Sequence, residues 1–336
     1  MKNQESTSNH LSRSMKQKHH HHHLLLRLVL APFIHKLFSL SSTEEKEPSF
    51  SLEQIPIAMP NKETISYNMV SNSCSNGLVC LYSDFHCGRE IALCNPTTRD
   101  VKFLPISNLV TEVKDGMVLG VGMGHDYYKI DDYKVVRMWI SYLECRCKKY
   151  IVEEYCLSTK SWRIIDSANP YCCDFEASCF AMHFDGFYFW WAKLQDSSPV
   201  VVALDVGGGY FRKVHLPKRA DIGSESGRYL GVLNGFVSLV CRDDRHSNND
   251  NLDIWVIDGA VFNSCTSWTK LRTLNLAPCT PLTFWKGKEL LVKMFDMLKS
   301  YDVESGEIHH VSTDVGGQGI ADICQAIPCV KSLASI

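Results

Sequence analysis

The sequence lacks the long apolar run that a membrane-spanning helix needs. Its most apolar stretch, residues 24–34, covers about eleven residues and is interrupted by Arg27, whereas crossing a bilayer takes about twenty. The stretch also begins too late in the chain to resemble a secretory signal. We therefore interpret it as a buried first strand and expect no membrane association.

Net charge of either sign is also nearly absent. The 35 lysines and arginines almost balance the 37 aspartates and glutamates, which leaves a formal charge of −2. This balance offers no electrostatic argument for binding nucleic acid. A chain of 336 residues with 45% hydrophobic and 21% charged residues is typical of soluble globular proteins, and it can bury roughly 75% of its unfolded surface in one large or two smaller domains.

The fifteen cysteines form neither a metal-binding nor a disulfide pattern. The close pairs, Cys145 with Cys147 and Cys172 with Cys173, lack the two-to-four-residue gap of a zinc knuckle. An odd total without an export signal argues against a disulfide framework. Most cysteines lie in strand-like runs, where a thiol packs as a small hydrophobic group. We therefore expect reduced thiols and a cytosolic or nuclear protein.

Amphipathic helical periodicity is missing, and a short hairpin pattern recurs in its place. In each copy a strand-like run meets a polar turn, and an aromatic or aliphatic residue then starts another strand. The copies lie roughly 45–65 residues apart, in or near the period typical of propellers and solenoids. They occupy residues 93–103, 155–164, 203–211 and 301–308, with a looser copy at 254–268.

These hairpins predict about six repeated units. A flat β-sandwich is the alternative, but it would leave long strand edges exposed, whereas ring closure removes them. We predict an all-β, propeller-like fold of about six blades and few helices over residues 24–336, in which the tail 327–336 returns to complete the first unit. We predict that residues 1–23 are a disordered polar segment. Their histidine run, 19–23, is an expression tag, a metal trap or a natural tract.

Several motifs combine a strand with a tight turn or an aromatic run: Asn-Gly-Leu-Val-Cys-Leu at 76–81, Leu-Cys-Asn-Pro-Thr-Thr-Arg at 93–99, Asp-Asp-Tyr-Lys-Val-Val-Arg at 131–137, the segment 154–163, Asp-Gly-Phe-Tyr-Phe-Trp at 185–190 and Leu-Asp-Ile-Trp-Val at 252–256. In order and spacing they resemble the plant F-box-associated (FBA, kelch-like) domain family. The resemblance extends from about His10 to the C-terminus and is strongest to S-locus F-box and S-haplotype-specific F-box proteins.

The resemblance implies a function in protein degradation. Family members pair an N-terminal F-box, which docks on the Skp adaptor of a cullin-RING (SCF) ubiquitin ligase, with a C-terminal domain that captures the target protein. S-locus members are implied in pollen recognition of pistil ribonucleases during self-incompatibility. Residues 6–14 resemble only the closing edge of an F-box. We therefore expect no stable complex with the Skp adaptor, and a truncated, non-functional product is an alternative.

The residues show no catalytic pattern. The segment 120–124 lacks the glycine spacing of a nucleotide-binding loop, so we expect a glycine-rich strand near the propeller axis. In 223–227 a glutamate stands where a nucleophile elbow needs serine, which favours a plain turn. His309 and His310 are adjacent and would face opposite sides of a strand. We expect no enzyme activity, cofactor or metal, with a propeller enzyme of the kelch or galactose-oxidase kind as the alternative.

Two loops are candidates for contact with a target protein, because propellers bind through the loops of one face. One is cationic and aromatic, and its candidates are Arg146, Lys148 and Lys149. The alternative for this loop is a hairpin arm whose lysines point outward. The other loop is long and charged, and its candidates are Arg242, Asp243, Asp244, Arg245 and His246. The alternative for it is a solvated loop without a partner.

Overall fold

The structure, a computed structural model, describes residues 23–31, 34–42, 50–56, 67–69, 77–83, 90–108, 117–125, 132–142, 148–165, 173–175, 182–205, 208–217, 228–242, 251–258, 267–276, 278–295, 297–311, 323–332 and 336. Apart from His23, the predicted polar segment 1–23 lies outside these residues, and so does the turn predicted at 223–227.

The described backbone forms six antiparallel sheets, which we number as blades I to VI. We label the strands of each blade A to D, starting from the strand nearest the axis. Blade I contains β25 (Ile323–Cys329), β1 (His23–Ala31), β2 (Ile34–Ser42) and β3 (Phe50–Ile55). Blade II contains β4 (Tyr67–Met69), β5 (Val79–Ser83), β6 (Ile91–Asn95) and β7 (Asp100–Phe103). Blade III contains β8 (Met117–His125), β9 (Tyr133–Tyr142), β10 (Lys148–Cys156) and β11 (Ser161–Ile165).

The other three blades follow the same order. In blade IV the A position is shared by β12 (Cys173–Phe175) and β13 (Met182–Phe184), followed by β14 (Phe187–Leu194), β15 (Pro199–Asp205) and β16 (Tyr210–Val214). Blade V contains β17 (Arg228–Leu233), β18 (Phe236–Arg242), β19 (Asn251–Asp258) and β20 (Ser267–Asn275). Blade VI contains β21 (Thr280–Trp285), β22 (Glu289–Met294), β23 (Met297–Asp302) and β24 (Ile308–Val311).

The blades close into a ring. The A strands of blades III, IV, V, VI and I contact one another in turn, and β25 pairs antiparallel with β1, with Leu25 opposite Ile327. The predicted all-β propeller of six blades is therefore confirmed. The tail does return to the first blade, through β25, which begins at Ile323 rather than at residue 327. Within the described ranges, no helix has both the length and the apolarity to cross a lipid bilayer.

The core lies between neighbouring blades, because strands at the B and C positions, such as β14, β15 and β18, are buried on both faces. Strand β14 shows this clearly: Tyr188 and Trp190 pack with residues of blade III such as Met138, while the alternating Phe189 and Trp191 pack with residues of blade V. A strand alternates its side chains between two faces. The continuous aromatic run of β14 therefore contributes to the interface with blade III on one face and to the interface with blade V on the other.

The predicted glycine-rich strand is β8, an innermost strand. A Cβ atom added to Gly124 would lie 2.3 Å from the ring of His183 in the neighbouring blade. No side chain fits that separation, so glycine allows these two A strands to approach each other. The six cysteines whose side chains are described are free thiols, and five of them are buried, which suits thiols that pack as small hydrophobic groups.

Candidate functional site

The connections between strands fall on two faces of the ring, because chain direction alternates within each antiparallel blade. The A–B and C–D turns lie on one face, which we call the A–B face. The B–C turns and the connections from D to the next A strand lie on the opposite B–C face. A hydrogen bond from the N–H of Asn234 to the carbonyl of Gly287, at 3.0 Å, joins the A–B turns of blades V and VI on their shared face.

Both loops predicted to contact a partner connect a B strand to a C strand. One lies between β9 and β10 of blade III and the other between β18 and β19 of blade V, and the strand ends that flank both loops lie on the B–C face. Lys149 is exposed on β10. Of Lys148 only the backbone is described, at the start of β10. Four residues of the charged loop and one of the cationic loop lie outside the described residues: Asp243, Asp244, Arg245, His246 and Arg146.

Arg242 is engaged within the fold. It lies half-buried at the end of β18, and its Nη2 donates a hydrogen bond to the carbonyl oxygen of Cys279 at 2.6 Å. This contact ties blade V to the segment that leads into blade VI. Replacing Arg242 would therefore disturb this junction as well as any contact with a partner.

Another exposed feature of the B–C face is the hairpin tip of blade VI. Phe295 is 71% exposed and Met297 is 42% exposed. The φ angle of Phe295 is 54°, a left-handed conformation that bulky residues rarely adopt. The tight turn thus holds an aromatic ring in solvent.

A groove of about 480 Å³ lies at the rim between blades II and III. Residues 105–108, which follow β7, form one wall. Residues 160–164, from the C–D turn and strand β11, form the other. The indole Nε1 of Trp162 donates to the carbonyl oxygen of Pro105 at 2.7 Å and so joins the two walls. We call this site, together with Glu153 at its base, the rim groove.

A buried ion pair supports the base of the rim groove. Glu153 Oε1 accepts hydrogen bonds from Arg137 Nε and Trp139 Nε1, each at 2.6 Å, and lies 2.5 Å from Arg137 Nη2. Its Oε2 accepts a hydrogen bond from the hydroxyl of Ser107 in the opposite wall. Both charged side chains are only 1% exposed. The base is therefore internally neutral and rigidly bonded.

Aromatic stacking extends this support to the wall of the rim groove. The guanidinium carbon of Arg137 lies 4.6 Å from the ring centre of Trp139 and 4.5 Å from that of Trp162. Burial lowers the pKa of Arg137, while the adjacent carboxylate of Glu153 raises it. The cation held between two indoles fixes the position of Trp162.

The exposed surface of the rim groove is apolar and cationic. Ile106 is 71% exposed on one wall, and Ile164 is 59% exposed on the other. Lys160 and Arg163 are exposed as well. Arg163 Nη2 lies 2.9 Å from Glu154 Oε1, which is also 3.5 Å from Lys134 Nζ, so one buried carboxylate faces two cations.

Sequence reasoning did not identify the rim groove, although one local signal was present. Ile164 and Ile165 are adjacent in β11, and a strand directs neighbouring side chains to opposite sides. Only Ile165 is buried. The pair therefore implies one exposed isoleucine. The approach of Pro105 to Trp162 cannot be inferred locally, because it depends on how two blades pack.

Two further observations concern the reactive side chains of the described residues. Among them no group of three or more histidine, cysteine, aspartate or glutamate side chains is arranged to hold a metal ion. Burial raises the pKa of the Cys94 thiol to about 12 and that of Cys80 further, so these thiols remain protonated and weakly nucleophilic. The rim groove offers apolar contacts from Ile106 and Ile164, the exposed cation Lys160 and a rigid base.

Comparison with known proteins gives a family and one curated relative. Residues 27–310 match the F-box associated beta propeller domain. A candidate F-box protein of Arabidopsis thaliana is 24% identical over 220 residues, which is 65% of this chain and 51% of that protein. The chain thus spans about half the length of this relative.

The solved structures that align with this chain are distant in sequence. The periplasmic gluconolactonase PpgL of Pseudomonas aeruginosa aligns with a TM-score of 0.42 and 11% identity, over 90% of this chain and 98% of that one. The β-propeller domain of Cps50 (Swd1) from Myceliophteria thermophila aligns with a TM-score of 0.43 and 8% identity, over 84% and 85% of the two chains.

Proposed function

Because the chain belongs to the family of F-box associated beta propeller domains, we propose that it captures a target protein for an SCF-type, cullin-RING ubiquitin ligase. In this proposal the domain is a binding module and not an enzyme. The observation that carries it is the family match over residues 27–310. The similarity to a candidate F-box protein gives further support.

The fold is suited to such a module. Its blades bury most of their strand residues against one another, which leaves the turns and the rim to meet a partner. Six free cysteines among the described residues support a reducing compartment, the cytosol or nucleus, where ubiquitin ligases act on soluble targets.

The experiment measures both the capture of a target protein and its ubiquitination. The full chain and the same chain with an F-box fused to its N-terminus are used for affinity capture with mass spectrometry, with the F-box alone as the control. We expect both propeller-containing proteins to retain a common target, and only the fusion to retain the Skp adaptor and to promote ubiquitination of that target. Capture of no common target would contradict the proposal.

The finer proposal, an S-locus-like target, is tested separately. Pistil ribonucleases are offered to the immobilised chain beside a ribonuclease from another tissue as a control. Selective retention of the pistil enzymes would support this target class. Equal retention, or none, would leave the general capture function intact and reject that class.

A further inference from the structure

We propose that the rim groove binds an extended segment of the target protein in which aspartate or glutamate accompanies a large aliphatic side chain. This inference rests on the proposed capture function and names the chemistry of one contact. It is carried by the rim groove itself, where two exposed isoleucines and the exposed Lys160 line one site above a buried, bonded base.

The apolar component of the target segment follows from Ile106 and Ile164. The two side chains are 71% and 59% exposed and line the same groove from opposite walls. Isolated exposed aliphatic residues are ordinary on protein surfaces, but two that share a concave site with an indole form a place for an apolar side chain. An aliphatic residue of the target would remove both isoleucines from water.

The acidic component follows from the charges of the lining. Three charged residues line the described part of the rim groove: Lys160, Arg163 and Glu153. Glu153 is buried and bonded to Arg137, and the guanidinium of Arg163 is bonded to Glu154. Among these lining residues, the exposed Lys160 is therefore the charge that can meet a partner. A carboxylate of the target placed near Lys160 would complement this surface.

The extended conformation follows from strand β11. Within the described chain β11 is the outermost strand of blade III, bonded on its other side to β10. An outer strand offers backbone donors and acceptors that an extended peptide can use. The bonds among Arg137, Glu153 and Trp139 hold the base in place before binding, which reduces the loss of conformational freedom when the partner binds.

A random peptide library displayed on phage provides the probe for this proposal. Selection on the full chain is expected to enrich peptides that combine acidic and large aliphatic residues. An enriched peptide is then synthesised with a fluorescent label, and its affinity is measured by polarisation. We expect the variant Ile164→Asp with Lys160→Glu to weaken binding at least about tenfold, since it reverses the apolar and the cationic contact together.

A matched control makes the same changes elsewhere. Leu271 is 52% exposed on β20, the D strand of blade V, and Lys331 is exposed beyond β25. The variant Leu271→Asp with Lys331→Glu should bind within about twofold of the unmodified chain. Thermal midpoints are compared for all variants. If the groove variant does not fold, Ile106→Asp on the opposite wall takes its place.

Several results would overturn the proposal. These are enrichment of basic or purely apolar peptides, equal binding by groove and control variants, and groove-dependent self-association in sedimentation, which would make a second copy the occupant. The same variants are also used in the target-capture experiment. If the groove variant still captures the target, the groove proposal fails and the capture function stands. If the unmodified chain captures no target, the proposed capture function is contradicted. The phage selection then still shows independently whether the groove prefers acidic and aliphatic peptides.

Discussion

At the scale of single residues, the repeated sequence pattern is explained by one turn. In the C–D turns of blades II, IV and VI, the N–H of the fifth residue donates to the carbonyl of the first at 2.8–2.9 Å. The side chain of that first residue accepts a backbone N–H from within the turn. An oxygen acceptor on a short side chain is needed for this. The first residues are Asn95, Asp205 and Asp302.

The C–D turn of blade III obtains its side-chain acceptor from another part of the blade. Cys156 occupies the first position of its turn, and the acceptor is Asp132 from the A–B connection, whose Oδ1 receives the N–H of Ser158 at 2.9 Å. Cys156 instead donates its Sγ hydrogen to Asp132 Oδ2 at 3.0 Å. The turn is therefore kept although its usual residue is absent. This explains why the sequence pattern remains recognisable with a cysteine there.

Asp302 allows the turn to be tested. Asp302→Ala removes both the acceptor for Glu304 and Ser305 and the 2.7 Å ion pair with Lys288, so we expect the free energy of unfolding to fall by about 1–2 kcal/mol at pH 7. Asp302→Asn keeps the acceptor, as Asn95 does in blade II, and should lose less. Urea unfolding measures both. Glu304→Ala, at an exposed residue, is the control and should change stability by under about 0.5 kcal/mol.

The charge of Asp302 also makes stability depend on pH. Burial alone would raise the pKa of its carboxyl, but Lys288 and the N–H groups of Ser305 and Glu304 outweigh burial and lower the pKa to about 2, from the usual 3.8. A lowered pKa stabilises the fold above the unfolded value, and this stabilisation is lost as pH falls. The stability advantage over Asp302→Asn should therefore shrink between about pH 4 and pH 2. A constant difference over that range would contradict the ion pair.

At the scale of strands and turns, the sequence predicts the strands whose side-chain burial alternates and the turns that repeat. It misses strands of only three residues. Strand β14 and the C–D turns were predictable because their burial and turn residues repeat locally. Strands β4 and β12 were not, since three residues carry no readable period. The rim groove required knowledge of packing, because Pro105 and Trp162 lie 57 residues apart and meet only when two blades assemble.

Strands β9 and β10 depend on the buried pair Arg137 and Glu153. Arg137→Met would leave the Glu153 carboxylate buried without its cation, so we expect a loss of about 3–5 kcal/mol in the free energy of unfolding. Adding Glu153→Gln should recover part of it. Arg99→Met is the control, because its 3.8 Å pair with Glu53 is exposed and should contribute less than about 0.5 kcal/mol. Equal losses for Arg137→Met and Arg99→Met in urea unfolding would rule out the assigned role.

At the scale of the whole molecule, residues from the two ends of the described chain meet in one blade. Strand β25 is bonded to β1 through six residue pairs. Residues beyond it continue onto blade II, where Asn95 Nδ2 donates to the carbonyl of Ser332 at 3.1 Å and the N–H of Ser332 donates to Thr97 Oγ1 at 3.2 Å. The ring is thus joined twice, once within blade I and once between blades I and II. Such closure protects strand edges that would otherwise pair with other chains.

Two truncations separate these contributions. A chain ending at residue 322 lacks β25, so the edge of β1 and the apolar residues Leu24 and Leu26 lose their cover. We expect aggregation and no single cooperative thermal transition. A chain ending at Cys329 keeps β25 and loses the contacts of Ser332 and Ile336, which should lower stability by only about 1–3 kcal/mol. Calorimetry with sedimentation distinguishes the two. A chain ending at 322 that melts like the full chain would show that the ring does not depend on its last strand.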